Sequence, residues 1–175
     1  SVEKIAKKIG YVRESIFGGL WSFESNEDKA DSAYTQEELR PHTDSTYSND
    51  APGLQLLLCC HYKASGGESI MVDGFKIAEK IKNEKREIYD LLTQIEVTGQ
   101  YIGDGVFLKA KRPIFRVNSD NELIQVSFNN YDRAPFKFSE DKTKKFYEAI
   151  KEFDLIANNK EYQWRHVLKP GELLI

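Results

Sequence analysis

Only two of the 175 residues are cysteine, and they are adjacent, Cys59-Cys60. Neighbours on an extended strand point to opposite faces, so this pair builds no disulfide framework. Reduced thiols buried in an apolar strand are expected instead, and with them an intracellular protein. Histidine is nearly as scarce, with three in the chain. Neither sign of charge dominates: 25 Lys and Arg against 28 Asp and Glu leave a net charge of −3 and a pI near 5.7. The basic residues are interleaved with acidic ones, which argues against a nucleic-acid or membrane-surface partner. No apolar run approaches a membrane span, Ser1-Val2-Glu3-Lys4 does not read as a signal peptide, and no repeat, low-complexity tract or linker breaks the chain. A cytoplasmic location is expected, or a mitochondrial one in an animal.

What remains is folded material. Hydrophobic residues make up 40% and charged residues 30%, a balance that excludes disorder and, at this length, suits one domain with a sizeable core. Val2, Ile5, Ala6 and Ile9 recur at helical spacing, with Gly10 as a stop. Residues 11–23 read as β-like or irregular around the turn-forming Gly18-Gly19, and residues 24–32 as a polar loop. Residues 54–60, Leu-Gln-Leu-Leu-Leu-Cys-Cys, read as a buried strand, and residues 68–72 as a second one after Gly66-Gly67. Asp73 is placed to cap a helical region carrying Phe75, Ile77, Ala78, Ile81, Ile88, Leu91 and Leu92 on one face, as one helix or two. Strands are expected over 95–101, 114–117 and 123–128, the last two joined by a turn at Ser119-Asp120-Asn121. Ser139 opens an amphipathic helix with Phe146, Ala149, Ile150, Phe153 and Ile156 inward. Residues 162–168 form another strand, Lys169-Pro170-Gly171-Glu172 a turn, and Leu173 starts a further strand. Many short strands with helices between them suggest an α+β fold of jelly-roll type carrying peripheral helices, not a parallel βαβ sheet.

One tripeptide bears on chemistry. In His42-Thr43-Asp44 the first and third residues project to one face of an extended segment, offering an imidazole nitrogen and a carboxylate oxygen to one point. That is two-thirds of the 2-His-1-carboxylate triad that holds non-heme Fe(II) with open coordination positions. By spacing alone a solvated loop pair satisfies the same pattern.

The surrounding motifs decide between the two. His42-Thr43-Asp44, Pro52-Gly53-Leu54-Gln55, Gly66-Gly67-Glu68-Ser69, Val72-Asp73-Gly74-Phe75, Phe128-Asn129-Asn130 and Lys169-Pro170-Gly171 occur in order. From about residue 13 to 175 they resemble the Fe(II)/2-oxoglutarate dioxygenases of carnitine biosynthesis, the trimethyllysine and γ-butyrobetaine dioxygenase family, which is taurine dioxygenase-like. Arg13-Glu14-Ser15-Ile16-Phe17-Gly18, Asp31-Ser32-Ala33-Tyr34-Thr35, His42-Thr43-Asp44-Ser45-Thr46-Tyr47 and Asn129-Asn130-Tyr131-Asp132-Arg133-Ala134 look closer to the trimethyllysine branch. The resemblance implies a double-stranded β-helix, a single catalytic domain over residues 1–175, and hydroxylation of a trimethylammonium amino acid. O₂ would be consumed and 2-oxoglutarate decarboxylated to succinate, with ascorbate as an accessory reductant. The favoured reaction is trimethyllysine to 3-hydroxy-trimethyllysine. Hydroxylation of γ-butyrobetaine and a non-catalytic quaternary-amine-binding barrel are the alternatives, and a homodimer is compatible with all three.

The same resemblance implies residue roles. His42 and Asp44 are iron ligands, and the Ser69 hydroxyl bonds the distal carboxylate of 2-oxoglutarate. Phe17, Trp21 and Tyr34 form a cage whose ring faces attract a cation that has no N–H to donate. Asp31 and Asn130 are its polar partners. Each carries a plainer reading: core aromatics, a strand serine, a surface aspartate. His61 and His166 match no ligand position and are expected to be structural or surface residues. The family's distal histidine and its 2-oxoglutarate arginine follow the Lys-Pro-Gly turn on later strands, so the expectation is a chain that stops before them, its barrel incomplete at the C-terminus.

Overall fold

The computed structural model describes residues 1–22, 38–103 and 105–175. Helix α1 is Val2–Ile9, ended at Gly10, whose N–H donates to Ala6. Strand β1 is Leu57–Leu58 and β2 is Ser69–Val72. Helices α2, Gly74–Glu84, and α3, Arg86–Gln94, come next. Asp73 starts α2 as its sequence position suggests, its carboxylate accepting from the N–H groups of Phe75 and Lys76. Lys85, at φ −142°, leaves helical geometry and divides the two helices. Strands β3, Glu96–Gly103, and β4, Val106–Pro113, form an antiparallel hairpin. Strands β5, Phe115–Val117, and β6, Leu123–Val126, form another, turned at Asn121, which sits at φ 60°. Helix α4, Glu140–Ala157, is capped by the Ser139 hydroxyl and opens with Glu140 and Asp141, which suit the positive end of its dipole. Strand β7 is Gln163–His166 and β8 is Leu173–Leu174. Among the described residues these strands form four two-stranded sheets: β1 with β8, β2 with β7, β3 with β4, and β5 with β6. Helices with small antiparallel sheets make this an α+β chain; a closed barrel is not among the described elements.

Two compact units are distinguished. One comprises Ser1–Leu39, Gly53–Ser69 and Arg165–Ile175, the other Arg40–Pro52 and Ile70–Trp164. The hydrophobic core lies in the second, where α2, α3 and α4 pack on β5 and the end of β6. Phe115, Phe146, Ile77, Ile81 and Leu92 are essentially inaccessible there. Phe128, just past β6, meets the ring of Phe153 of α4 at 4.5 Å with planes tilted by 43°, and is itself buried. A residue so placed has a fixed backbone, which matters below.

Three expectations are corrected. Residues 54–60 are not a buried strand: only Leu57–Leu58 is extended in a ladder, and Leu54 is 62% exposed. Its ladder partner among the described residues is β8 alone, so composition predicted more cover than the short pairing gives. The thiols are free, as expected, but Cys60 is exposed and Cys59 half-buried. Phe75 points outward while Tyr89, not counted on the apolar face, is buried against Phe115. Strand β4 was not expected from the sequence at all.

Candidate metal centre

His42 and Asp44 lie in the second unit, on a stretch without regular secondary structure. The His42 Nε2 and Asp44 Oδ1 atoms are 3.3 Å apart. Two adjacent donors of a six-coordinate first-row cation, each at about 2.1 Å, stand about 3 Å apart, so the pair is set for one such ion. The other ring nitrogen, Nδ1, lies 2.8 Å from the Arg40 carbonyl. With Nδ1–H donating there, the lone pair falls on Nε2, facing Asp44, the tautomer a metal ligand needs. Tyr131 meets the ring edge-on at 5.8 Å. When the ring is protonated, Nε2–H donates to Asp44, and that hydrogen bond pushes the imidazole pKa up; desolvation opposes it, while the Arg40 carbonyl and the charges of Asp44 and Asp132 add to the rise. Among the described residues no cluster of three or more His, Cys, Asp and Glu side chains occurs. The centre thus supplies two donors, chemically suited to Fe(II).

Thr43, between them, turns the opposite way and is tied to the core. Its N–H donates to the Phe128 carbonyl at 2.7 Å, and its hydroxyl accepts from the Phe128 N–H at 2.9 Å. Asn129 adds a bond from Nδ2 to the Thr43 carbonyl, while its Oδ1 accepts from the N–H groups of Tyr131 and Asp132. Upstream, the Arg40 N–H donates to the Tyr131 hydroxyl at 3.1 Å. Downstream, Arg112 of β4 donates from Nη2 to the carbonyls of Ser45, Thr46 and Ser48. Burial pushes the Arg112 pKa down, as does the nearby Arg116 charge. The cavity beside this turn, lined by Thr46, Arg112, Asn129 and Asn130 among others, is about 20 Å³. It has room for one water-sized body and none for a substrate.

The remaining sequence-derived residues distribute as follows. Phe17 and Trp21, in the first unit, are in ring contact at 5.6 Å with planes 32° apart. Phe17 lies within the Ser15–Gly18 turn, where Gly18 takes φ +84°, and Trp21 follows it. Asp31 and Tyr34 lie outside the described residues. Ser69 opens β2. Asn130, exposed on the second unit, accepts from Arg133 Nη1 at 3.1 Å, and Arg133 stacks on Phe136 and Tyr147. His61 is exposed, and His166 binds Glu172 at 2.8 Å, matching the structural role expected of it. Two residues went unnoticed in the sequence, Thr43 and Arg112. Only Arg112 left a signal: Val106, Leu108 and Ala110 alternate inward along β4, which puts an arginine on the buried phase.

Residues 1–175 match the family described as "Taurine catabolism dioxygenase TauD, TfdA family" over their full length. The chain is 37% identical over 178 positions to the trimethyllysine dioxygenase of Meyerozyma guilliermondii, covering 99% of this chain and 45% of that protein. It is 32% identical to the human protein named "Trimethyllysine dioxygenase, mitochondrial", over 98% of this chain and 42% of that one. Identity to human gamma-butyrobetaine dioxygenase is 29%, over 99% and 46%. The chain therefore spans about half the length of the curated relatives it matches.

Proposed function

The chain belongs to the TauD/TfdA dioxygenase family, and on that premise we propose that it is part of an Fe(II)- and 2-oxoglutarate-dependent hydroxylase acting on a trimethylammonium amino acid, most plainly trimethyllysine. The observation that carries the proposal is the convergence of His42 Nε2 and Asp44 Oδ1 at 3.3 Å, held between the Arg40 carbonyl and the Thr43–Phe128 bonds. Support for trimethyllysine over γ-butyrobetaine comes from 37% against 29% identity to the respective relatives. Bound there, Fe(II) would supply oxidative chemistry toward an unactivated C–H bond, with 2-oxoglutarate as electron donor.

In this reading His42 offers a neutral imidazole and Asp44 a carboxylate, and both leave the opposite face of the ion open. Thr43 keeps the two side chains from turning apart. Phe17 and Trp21 present ring faces to the trimethylammonium group, with Tyr34 as third wall and Asp31 as a compensating charge. Asn130 orients the amino-acid end, and Ser69 donates its hydroxyl to the distal carboxylate of 2-oxoglutarate. The family's double-stranded β-helix is the frame proposed for these parts, and residues 1–175 form one catalytic domain within it. The proposed setting is the cytoplasm, or the mitochondrion in an animal.

The test is turnover by the intact protein with Fe(II), 2-oxoglutarate and ascorbate. Trimethyllysine should drive succinate formation and yield its 3-hydroxy product. Succinate formed only with γ-butyrobetaine would overturn the substrate; none with either would overturn the enzyme class proposed.

A further inference from the structure

The turn that follows the two ligands is held by one side chain that no sequence motif points to. Ser45, directly after Asp44, sits at φ 56°, a left-handed conformation that residues with a Cβ adopt reluctantly. Such a backbone persists where its surroundings over-determine it. Here they do. Arg112 Nη2 donates to Ser45 O at 3.0 Å, to Thr46 O at 3.1 Å and to Ser48 O. From β3, Gly99 lies so close beneath Thr46 that a Cβ on it would stand 2.7 Å from the Tyr47 nitrogen. Register aligns these supports, since Gly99 pairs with Ala110 and Val97 with Arg112 in the hairpin. Arg112 is a charge on the inward phase of a strand; three carbonyl dipoles of one turn offset part of its desolvation at Nη2, while its Nε is buried without a hydrogen-bond partner.

Resting on the reading of His42 and Asp44 as iron ligands, we infer that Arg112 is a positioning residue: by fixing the carbonyls of Ser45, Thr46 and Ser48 it holds Asp44 in register with His42. Arg112 touches neither ligand side chain in the bonds above. Its effect passes through the backbone that joins Ser45 to Asp44, so removing it lets the carboxylate swing while leaving His42 anchored at Arg40. The role is specific to the carboxylate arm of the site.

Titration of the intact, metal-free protein with Co(II), followed by calorimetry, reads this directly. Arg112→Met should bind about ten- to a hundredfold more weakly, the range typical for groups that orient a ligand. Amide exchange over residues 45–48 should accelerate, and far-UV circular dichroism should stay that of the wild type. In an Asp44→Ala background the same substitution should cost no further affinity, because the arm it positions is gone. A merely structural arginine would lower thermal stability in both backgrounds and weaken Co(II) by the same factor in both. Unchanged affinity in Arg112→Met, or equal losses in the two backgrounds, overturns the inference. Should Arg112→Met fail to fold, Arg112→Lys is read the same way: several-fold weaker binding supports the clamp, and wild-type affinity with wild-type exchange over 45–48 overturns it. Arg116→Met, at an exposed position of β5, serves as the control and should bind Co(II) normally. If His42→Ala binds as tightly as the wild type, the metal-site reading itself fails, and this inference falls with it; affinity lost in His42→Ala but kept in Arg112→Met defeats the inference alone.

Discussion

Replacing Thr43 with valine removes one hydroxyl and keeps the shape of the side chain. That hydroxyl accepts from the Phe128 N–H at 2.9 Å, and Phe128 is 5% exposed. Its carbonyl stays bonded to the Thr43 N–H at 2.7 Å, so the substitution orphans a single donor. A buried donor left without a partner costs about 1–3 kcal/mol, and a value near 2 lowers the melting temperature of a chain this long by about 4–8 °C. Valine's added methyl occupies the oxygen's space and fills no cavity, so nothing offsets the loss. Thermal unfolding of Thr43→Val beside Thr43→Ser checks the reasoning, because serine retains the acceptor and gives up only a methyl. Serine should stay within about 1 kcal/mol of wild type, while valine should not. Because Thr43 stands between the two proposed ligands, Thr43→Val should also bind Co(II) more weakly. A valine variant as stable as wild type refutes the bond's worth. A serine variant as damaged as valine assigns the effect to packing instead.

Gly99→Ala should destabilise by about 1–3 kcal/mol, since the new methyl runs into the Thr46 backbone and the strand beneath has no freedom to retreat; chemical denaturation measures it, and a neutral result would mean that β3 and the turn separate easily. His42→Ala should abolish Fe(II)-dependent turnover while leaving circular dichroism unchanged, and wild-type activity would remove His42 from the ligand set. The Lys169–Glu172 turn should be pH-sensitive: the Lys169 N–H and the His166 ring, bonded to its carboxylate, hold Glu172 below its ordinary 4.5. The folded state therefore binds this proton less readily than the unfolded chain, so the carboxylate's contribution is fully present above pH 4.5 and is lost as pH falls through the depressed value. An NMR titration of Glu172 should give a midpoint below 4.5, and a midpoint above it refutes the sign.

Local signals were legible and remote ones were not. Asp73 and Ser139 announce their helices because a cap acts within three residues of itself. The inward face of α4 follows from spacing alone. His42 and Asp44 were visible as a pair because strand-like alternation brings i and i+2 together. Burial of residues 54–60 was overestimated because it depends on what pairs with β1, which composition does not encode. Strand β4 hid behind Lys109, Lys111, Arg112 and Pro113, a run that looks like surface until the inward phase of Val106, Leu108 and Ala110 is counted. Thr43 and Arg112 were invisible as supports for a harder reason: their partners lie 85 and more than 60 residues away in the chain.

The stretch that carries His42 and Asp44 is neither helix nor strand, so its geometry has to come from outside itself. Three anchors act on it, and their magnitudes differ. Arg40 reaches Asp154 of α4 at 3.3 Å, but the arginine side chain is 66% exposed, and ion pairs of that kind contribute about 0–1 kcal/mol. The Thr43 hydroxyl serves a buried donor on a core residue, where loss costs the whole desolvation penalty. Arg112 places a charged donor on three carbonyls that follow Asp44 directly. Precision at the site therefore comes from the helix-packed core through Phe128 and from the β3–β4 hairpin through Arg112, and little of it from the surface pair. It follows that His42 and Asp44 are fixed by different parts of the fold. Beyond the Thr43 bonds that they share, the histidine depends on the Arg40 carbonyl and the aspartate on the clamped turn. Damage to the hairpin should then loosen the carboxylate first, leaving an imidazole that is still well placed to bind a metal on its own.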